Sequence, residues 1–548
     1  MRNGGDLVVE TLTELQASTV FGIPGQHALG LFDALTRSKL QFVSSRVENN
    51  AAFAADGYAR ATGQPGILFV STGPGALTAL AGIQESYASG VPMIVVSSQI
   101  PEAGLGGRRK GMLHQLDDQK ESARNVTKSQ ETVHKASSIP YVIEDAWRTA
   151  MTAPQGPVWV EIPQDVLLQN TSVPPPGAID MQLHQPQPHG GSIEQAARIL
   201  AAAKRPAIVA GGGVHRSGSA TEHLRQLAEL ISAPVICTPG GNSAFPYDHP
   251  LSMGGWIEDN YVTEALEDAD VLLAVGTSLG EVSSNYYTLQ PRGEIIQIDA
   301  HVRVLESNYS GLGIRSDASS AMQKILQALE TSGDIPTSNW HGKTAEQFVA
   351  DVRQRINDRL ASQDLAHELG VMRSIRTALP DDALSYWDMT IAGYWAWNMW
   401  DARTGAMHSG QGAGGIGYGF PAAFGGAVGQ QRVLAVSGDG SAMYSIAELA
   451  AAKQHNLPVT WLIIDDGGYG ILREYMQDTF GEATATELAR PDFVMLSESF
   501  GVPAVATNAA ELETALQTAW AADGPNVVVL QTTLAMWQPT HQQSASTP

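Results

Sequence analysis

The chain has 548 residues, 43% hydrophobic and 16% charged, with 55 glycines and 29 prolines, an ordinary soluble globular composition with length for three or four domains of about 150 residues. Its net charge of −23 argues against a nucleic-acid partner, whose phosphates demand Lys and Arg, and against an anionic membrane surface. One cysteine, Cys237, rules out an internal disulfide or a cysteine metal cluster, and with no leader-like apolar run in residues 1–6 and no span of ~18 apolar residues, a cytoplasmic protein is expected.

In chain order, residues 66–71 and 91–97 read as buried strands of a first block. A proline-rich break at 173–191 ends it. Strands at 206–210, 271–275 and 295–299 belong to a middle block, closed by a second break at 331–342. Strands at 432–436, 459–464 and 526–530 form the last, and the polar tail from about Gln538 reads as loose. Near-continuous apolar strands separated by helical patterns imply parallel sheets covered on both faces. The expectation is an α/β chain of three doubly wound parallel-sheet domains, 1–172, 192–330 and 343–548.

The sharpest chemical signal is Val436-Ser437-Gly438-Asp439-Gly440-Ser441, where an apolar strand ends in a Gly-Asp-Gly turn before a helix predicted from about Ala442 to His455. The next strand ends at Asp465-Asp466-Gly467-Gly468-Tyr469-Gly470. Asp439 and Asp466 are 466 − 439 = 27 residues apart, about one crossover unit, so both can reach the carboxyl edge of one parallel sheet. Carboxylate and carbonyl oxygens suit Mg²⁺, glycines let backbone approach closely, and helix-opening amides at Gly440 and Ser441 attract phosphate. The segment reads as a metal-bridged diphosphate site.

These residues resemble the signature of thiamine diphosphate (ThDP)-dependent enzymes, which is Gly-Asp-Gly and, some two dozen or more residues on, Asn-Asn or a variant. The resemblance implies Mg²⁺ held by Asp439, Asp466 and the Gly468 carbonyl. Asp465-Asp466 departs from Asn-Asn, and an extra carboxylate would tighten cation binding while repelling the diphosphate. Phe21-Gly22-Ile23-Pro24-Gly25, Arg46-Val47-Glu48 and Thr72-Gly73-Pro74-Gly75 are similar to the pyrimidine-binding domain of the same family, which includes acetolactate synthase, benzoylformate decarboxylase and benzaldehyde lyase. Glu48 then takes the place of the glutamate that bonds the cofactor's N1′, where burial raises its pKa and eases proton sharing. Gly414-Gly415-Ile416-Gly417-Tyr418-Gly419 resembles the segment whose apolar residue, here Ile416, props the cofactor in its V shape. By the same resemblance Pro24, Gly25, Gly73, Thr390, Gly414, Gly438, Gly440, Ser441, Tyr469 and Gly470 are cofactor contacts, and the domains are pyrimidine-binding, middle and diphosphate-binding.

The implied activity is acetolactate synthase-like decarboxylation or carboligation of a small-molecule 2-oxo acid. Alternatives are a 2-hydroxyacyl-CoA lyase or oxalyl-CoA decarboxylase type of lyase, and a catalytically silent binding or regulatory subunit. His27, His114 and Gln115 are candidate substrate-side residues, and Leu472 stands where pyruvate decarboxylases carry a glutamate. The family builds its site between subunits, so a homodimer or homotetramer is expected. Acetolactate synthases bind FAD in the middle domain, but Gly211-Gly212-Gly213, Gly276 to Gly280 and Asp299 are a weak signal for it, and a vestigial fold is the favoured reading.

Overall fold

The computed structural model describes residues 2–429 and 431–540. Three sheets, each parallel throughout, carry the chain. The first has six strands in spatial order Gln41–Ser44, Thr19–Gly22, Gly66–Val70, Met93–Gln99, Pro157–Pro163, Gln130–Thr132. The second has five, Leu312–Arg315, Glu294–Asp299, Val271–Val275, Pro206–Ala210, Val235–Cys237. The third has six, Ala406–Ser409, Leu384–Trp387, Val433–Gly438, Val459–Asp465, Asn526–Gln531, Ala504–Thr507. The apolar runs earn their central places by burial: every residue of Gly66–Val70, Pro206–Ala210 and Val271–Val275 is buried, as a strand covered on both faces requires.

The first and third sheets share one order, 2-1-3-4-6-5 counted within each sheet. In that order the chain steps outward from strand 1 to strand 2 and then returns past it to strand 3. The gap between strands 1 and 3 is therefore a topological switch point, where open α/β sheets bind ligands beyond the carboxyl ends of their strands. In the third sheet this gap lies between Trp387 and Gly438; in the first, between Gly22 and Val70. The two sheets are joined by helix Glu48–Thr62 lying on helix Gly419–Ala427. A Cβ at Gly57 would fall on the Ala422 carbonyl and one at Gly425 on the Tyr58 amide, so the two backbones touch there.

Two expectations are corrected. The helix placed from about Ala442 opens at Asp439, because Gly438 is the extended N-cap (φ −79°, ψ 164°), and the aspartate becomes its first residue. Residues 538–540 are tied down rather than loose: Gln538 N–H donates to Gln363 Oε1 (2.8 Å) and Thr540 Oγ1 to the Glu258 carbonyl (3.3 Å). The rest of that tail, 541–548, lies outside the described residues.

Candidate cofactor site

A cavity of about 430 Å³ opens at the switch point of the third sheet. Thr390, Gly414, Ile416, Gly438, Gly440, Ser441, Asp466, Gly468, Tyr469 and Gly470 all line it, joined by Leu472, Tyr394, Tyr444 and Tyr475. Thr390 follows the first strand of this sheet, Gly438 ends the third-position strand, and Asp466 follows the next, so three adjacent strand ends supply the wall.

Asp439 sits beneath this wall, its side chain fully buried, and neither carboxylate oxygen meets a hydrogen-bond donor. Burial first, and then the negative charge of Asp466, push its carboxyl up to about 7. Burial also raises Asp466. A fully buried carboxylate without a hydrogen-bond donor, beside a half-buried Asp466 that accepts from Gly468 N–H (3.3 Å), is a costly arrangement that a divalent cation would satisfy. Among the described residues no group of three or more His, Cys, Asp or Glu is placed to hold a metal ion; carboxylates completed by backbone carbonyls would make the hard-oxygen set that suits Mg²⁺. Gly470 leaves room for the Asp466 carboxylate, since a Cβ there would fall on Asp466 Oδ2.

The loop that carries Ile416 is held at several points. Gly417 N–H donates to Ser441 Oγ (2.9 Å) and Tyr418 N–H to Asp388 Oδ1 (2.6 Å). Gly412 and Ala413 N–H donate to the two oxygens of Glu85 in the first domain (3.1 and 2.7 Å). Asp388 and Glu85 escaped sequence reasoning because no local motif marks them; their partners lie 30 and more than 300 residues away.

A second cluster occupies the switch point of the first sheet. Gly25 lies against Ser71, Gly73 against His114, and a Cβ at Gly75 would stand 3.1 Å from Glu48 Oε1. Pro24 is in the turn leaving the first strand. Glu48 opens the helix Glu48–Thr62, and burial raises its carboxyl above the ordinary value. His27 and His114 meet edge to face with ring centroids 5.3 Å apart. His27 is buried, and its pKa is lowered by burial first and by His114 second. His114 holds a left-handed backbone (φ +62°), uncommon for a residue with a side chain. Gln115 turns back into its own loop, donating to the Gly104 and Arg109 carbonyls (3.2 and 2.7 Å). The nearby Gln119, not singled out from sequence, accepts from Gly73 N–H (2.8 Å).

Among the described residues, the cavity wall at Asp466 is drawn from the third domain alone, and no residue of the first-domain cluster lines it. A further cavity of about 630 Å³ lies between the first and middle domains, lined by Gly212, Gly213, Arg216, Gly276 and Asp299 among others. The glycine runs considered for FAD face this space. Among the described residues, no helix is long and apolar enough to cross a membrane.

Comparison with known proteins agrees with this architecture. Residues 2–122 match the thiamine pyrophosphate enzyme N-terminal TPP binding domain, 193–325 the central domain and 388–530 the C-terminal TPP binding domain. The chain is 32% identical over 504 residues to a probable 2-ketoarginine decarboxylase of Pseudomonas aeruginosa, covering 91% of this chain and 88% of that protein. It is 30% identical over 521 residues to a probable acetolactate synthase large subunit of Methanocaldococcus jannaschii, covering 91% and 87%. With acetolactate synthase 1 of Oryza sativa it shares 31% over 563 residues, covering 96% and 84%. The chain therefore belongs to the thiamine pyrophosphate (ThDP) enzyme family, with all three of its domains in order.

Proposed function

We propose that this protein is a ThDP- and Mg²⁺-dependent enzyme that decarboxylates a 2-oxo acid and releases the product or joins it to a second carbonyl compound. The observation that carries the reading is Asp439, buried and without a donor, beside Asp466 on the wall of a glycine-lined cavity at a sheet switch point. Asp439, Asp466 and the Gly468 carbonyl would hold Mg²⁺, and the Gly440 and Ser441 amides would face the diphosphate. Ile416, on its fastened loop, would prop the bent cofactor.

Bound ThDP supplies a carbon nucleophile and electron sink for breaking a carbon–carbon bond beside a carbonyl. The chain's own residues govern the protons. Glu48, whose carboxyl burial raises above its ordinary value, would share a proton with the pyrimidine ring. His27, neutral near pH 7 because its pKa is lowered, can accept or relay a proton at the substrate side, with His114 beside it. Leu472 lines the cavity with an apolar side chain, which disfavours simple acetaldehyde release and leaves room for a larger substrate or a carboligation acceptor. No step of this reading draws on the cavity considered for FAD.

Because no first-domain residue, Glu48 included, lines the Asp466 cavity, we assign a homodimer as the smallest working unit, one chain giving the first-domain cluster and a second copy the third-domain cavity. Assembly into a tetramer is compatible with this. The CoA-ester readings gain no support, since no Lys or Arg follows Arg490. The test is CO₂ release from a panel of 2-oxo acids with ThDP and Mg²⁺ present, aldehyde and acyloin products both measured. Turnover of at least one supports the assignment; cofactor binding without turnover on any would favour the silent-subunit reading.

A further inference from the structure

Helix Glu48–Thr62 begins without a cap of its own. Val47 is its N-cap residue and offers no side-chain hydrogen bond, and the N–H groups of the two residues that lead into the helix, Arg46 and Val47, take an acceptor from elsewhere. That acceptor is Glu448 of the third domain. Its Oε1 receives Arg46 N–H (2.9 Å), Val47 N–H (3.2 Å) and Asn50 Nδ2 (3.1 Å). Glu448 is fully buried and Asn50 nearly so. The same third-domain helix makes two flanking contacts: Gln454 Oε1 accepts from Arg46 Nη2 (2.6 Å), and His455 Nε2 accepts from Ser44 N–H (3.0 Å).

We propose that Glu448 is a positioning residue for Glu48, holding the backbone on which the catalytic carboxyl stands; this rests on the role assigned to Glu48 above. One oxygen gathering donors from residues 46, 47 and 50 fixes the entry of the helix in three directions, and Glu48 is the next residue along. Glu448 is itself anchored to the candidate metal site. Helix Asp439–Ser445 runs on into Glu448–Gln454, because Ile446 (φ −58°, ψ −33°) and Ala447 (φ −64°, ψ −20°) both keep the right-handed helical conformation. Nine residues at the helical rise separate Asp439 from Glu448, about 13 Å. One short stretch of helical backbone thus runs from a candidate metal ligand to the brace on the glutamate's helix.

The experiment compares Glu448→Ala, Glu448→Gln, Glu48→Gln and the double variant Glu48→Gln/Glu448→Ala in the full-length enzyme, on the 2-oxo acid that wild type turns over fastest. Glu448→Ala should lower kcat on the order of 100-fold, the scale of a displacement near 1 Å, while ThDP affinity with Mg²⁺, read by calorimetry, changes by no more than about 3-fold. Glu448→Gln keeps the acceptor oxygen and should return kcat to within about 3-fold of wild type. Because Glu448 acts through Glu48, adding Glu448→Ala to Glu48→Gln should cost nothing further. If Glu448→Ala lowers the melting temperature but leaves kcat unchanged, or if the two losses multiply in the double variant, positioning is wrong. Should Glu448→Ala fail to fold, Asn50→Ala, which removes one of the three donors, carries the same comparison. Wild-type activity in Glu48→Gln would instead overturn the role of Glu48 itself.

Discussion

Arg490 Nε stands 2.5 Å from Asp465 Oδ1 and 3.5 Å from Asp439 Oδ2. One guanidinium therefore engages the carboxylate that departs from the family's Asn-Asn and also reaches the candidate metal ligand. The Asp-Asp pair divides its work: Asp466 faces the cavity, while Asp465 is turned to Arg490. The charge that would have repelled a diphosphate is balanced in place.

That pairing gives a double-mutant prediction. Arg490→Gln leaves Asp465 unbalanced and should weaken ThDP binding on the order of 10-fold in the presence of Mg²⁺. Asp465→Asn alone should change it little, and Asp465→Asn/Arg490→Gln should recover most of the loss. Calorimetric titration of the four proteins gives the coupling; strictly additive effects would mean the two residues act independently.

Gly470 tests the cation site from another side. Its backbone does not need the left-handed region, so alanine should fold, yet the new Cβ would displace the Asp466 carboxylate. Gly470→Ala should weaken Mg²⁺-dependent ThDP binding about 10–100-fold, the range found when the support of a metal ligand is disturbed. The melting temperature without cofactor should stay near that of wild type. Unchanged affinity would remove Asp466 from the ligand set.

Acid–base behaviour offers a third check. Burial pushes the Glu448 carboxyl up to about 7 from its ordinary 4.5, against the donors that favour its charged form. The folded protein then binds a proton that the unfolded chain has released. This contribution to stability is present in full below about pH 4.5 and is lost as pH rises through about 7, by about 3 kcal/mol. Asp439 and Glu258 are raised in the same direction to about 7, so the quantity to follow is the melting temperature of wild type minus that of Glu448→Gln. It should fall between pH 5 and pH 8; a constant difference would contradict the raised pKa.

The strands and the Gly-Asp-Gly segment were legible in the sequence because their causes are local. Buried parallel strands must be continuously apolar, and a phosphate turn must carry glycine at fixed offsets. Asp439 and Asp466 could be named for that reason, whereas Ile416 and Gly470 were named through the resemblance to ThDP-dependent enzymes. What stayed hidden depends on tertiary packing. Val47 and Glu448 are 401 residues apart, and Arg490 is 25 from Asp465 across a loop with no regular period. His27 and His114 form a pair only because the first sheet brings its strand ends to one edge. The shared strand order of the first and third sheets left no repeat to read, since a topology fixes where apolar residues fall and not which ones they are.

The most direct test of the account is Glu48→Gln, which keeps the shape of the side chain but removes its titratable proton. Calorimetry should show ThDP and Mg²⁺ binding within about 10-fold of wild type, while CO₂ release from the preferred 2-oxo acid falls at least about 100-fold, the usual scale for losing a general acid–base group. Wild-type CO₂ release from that variant, with cofactor bound, would contradict the central claim that Glu48 is the proton-sharing group of this site.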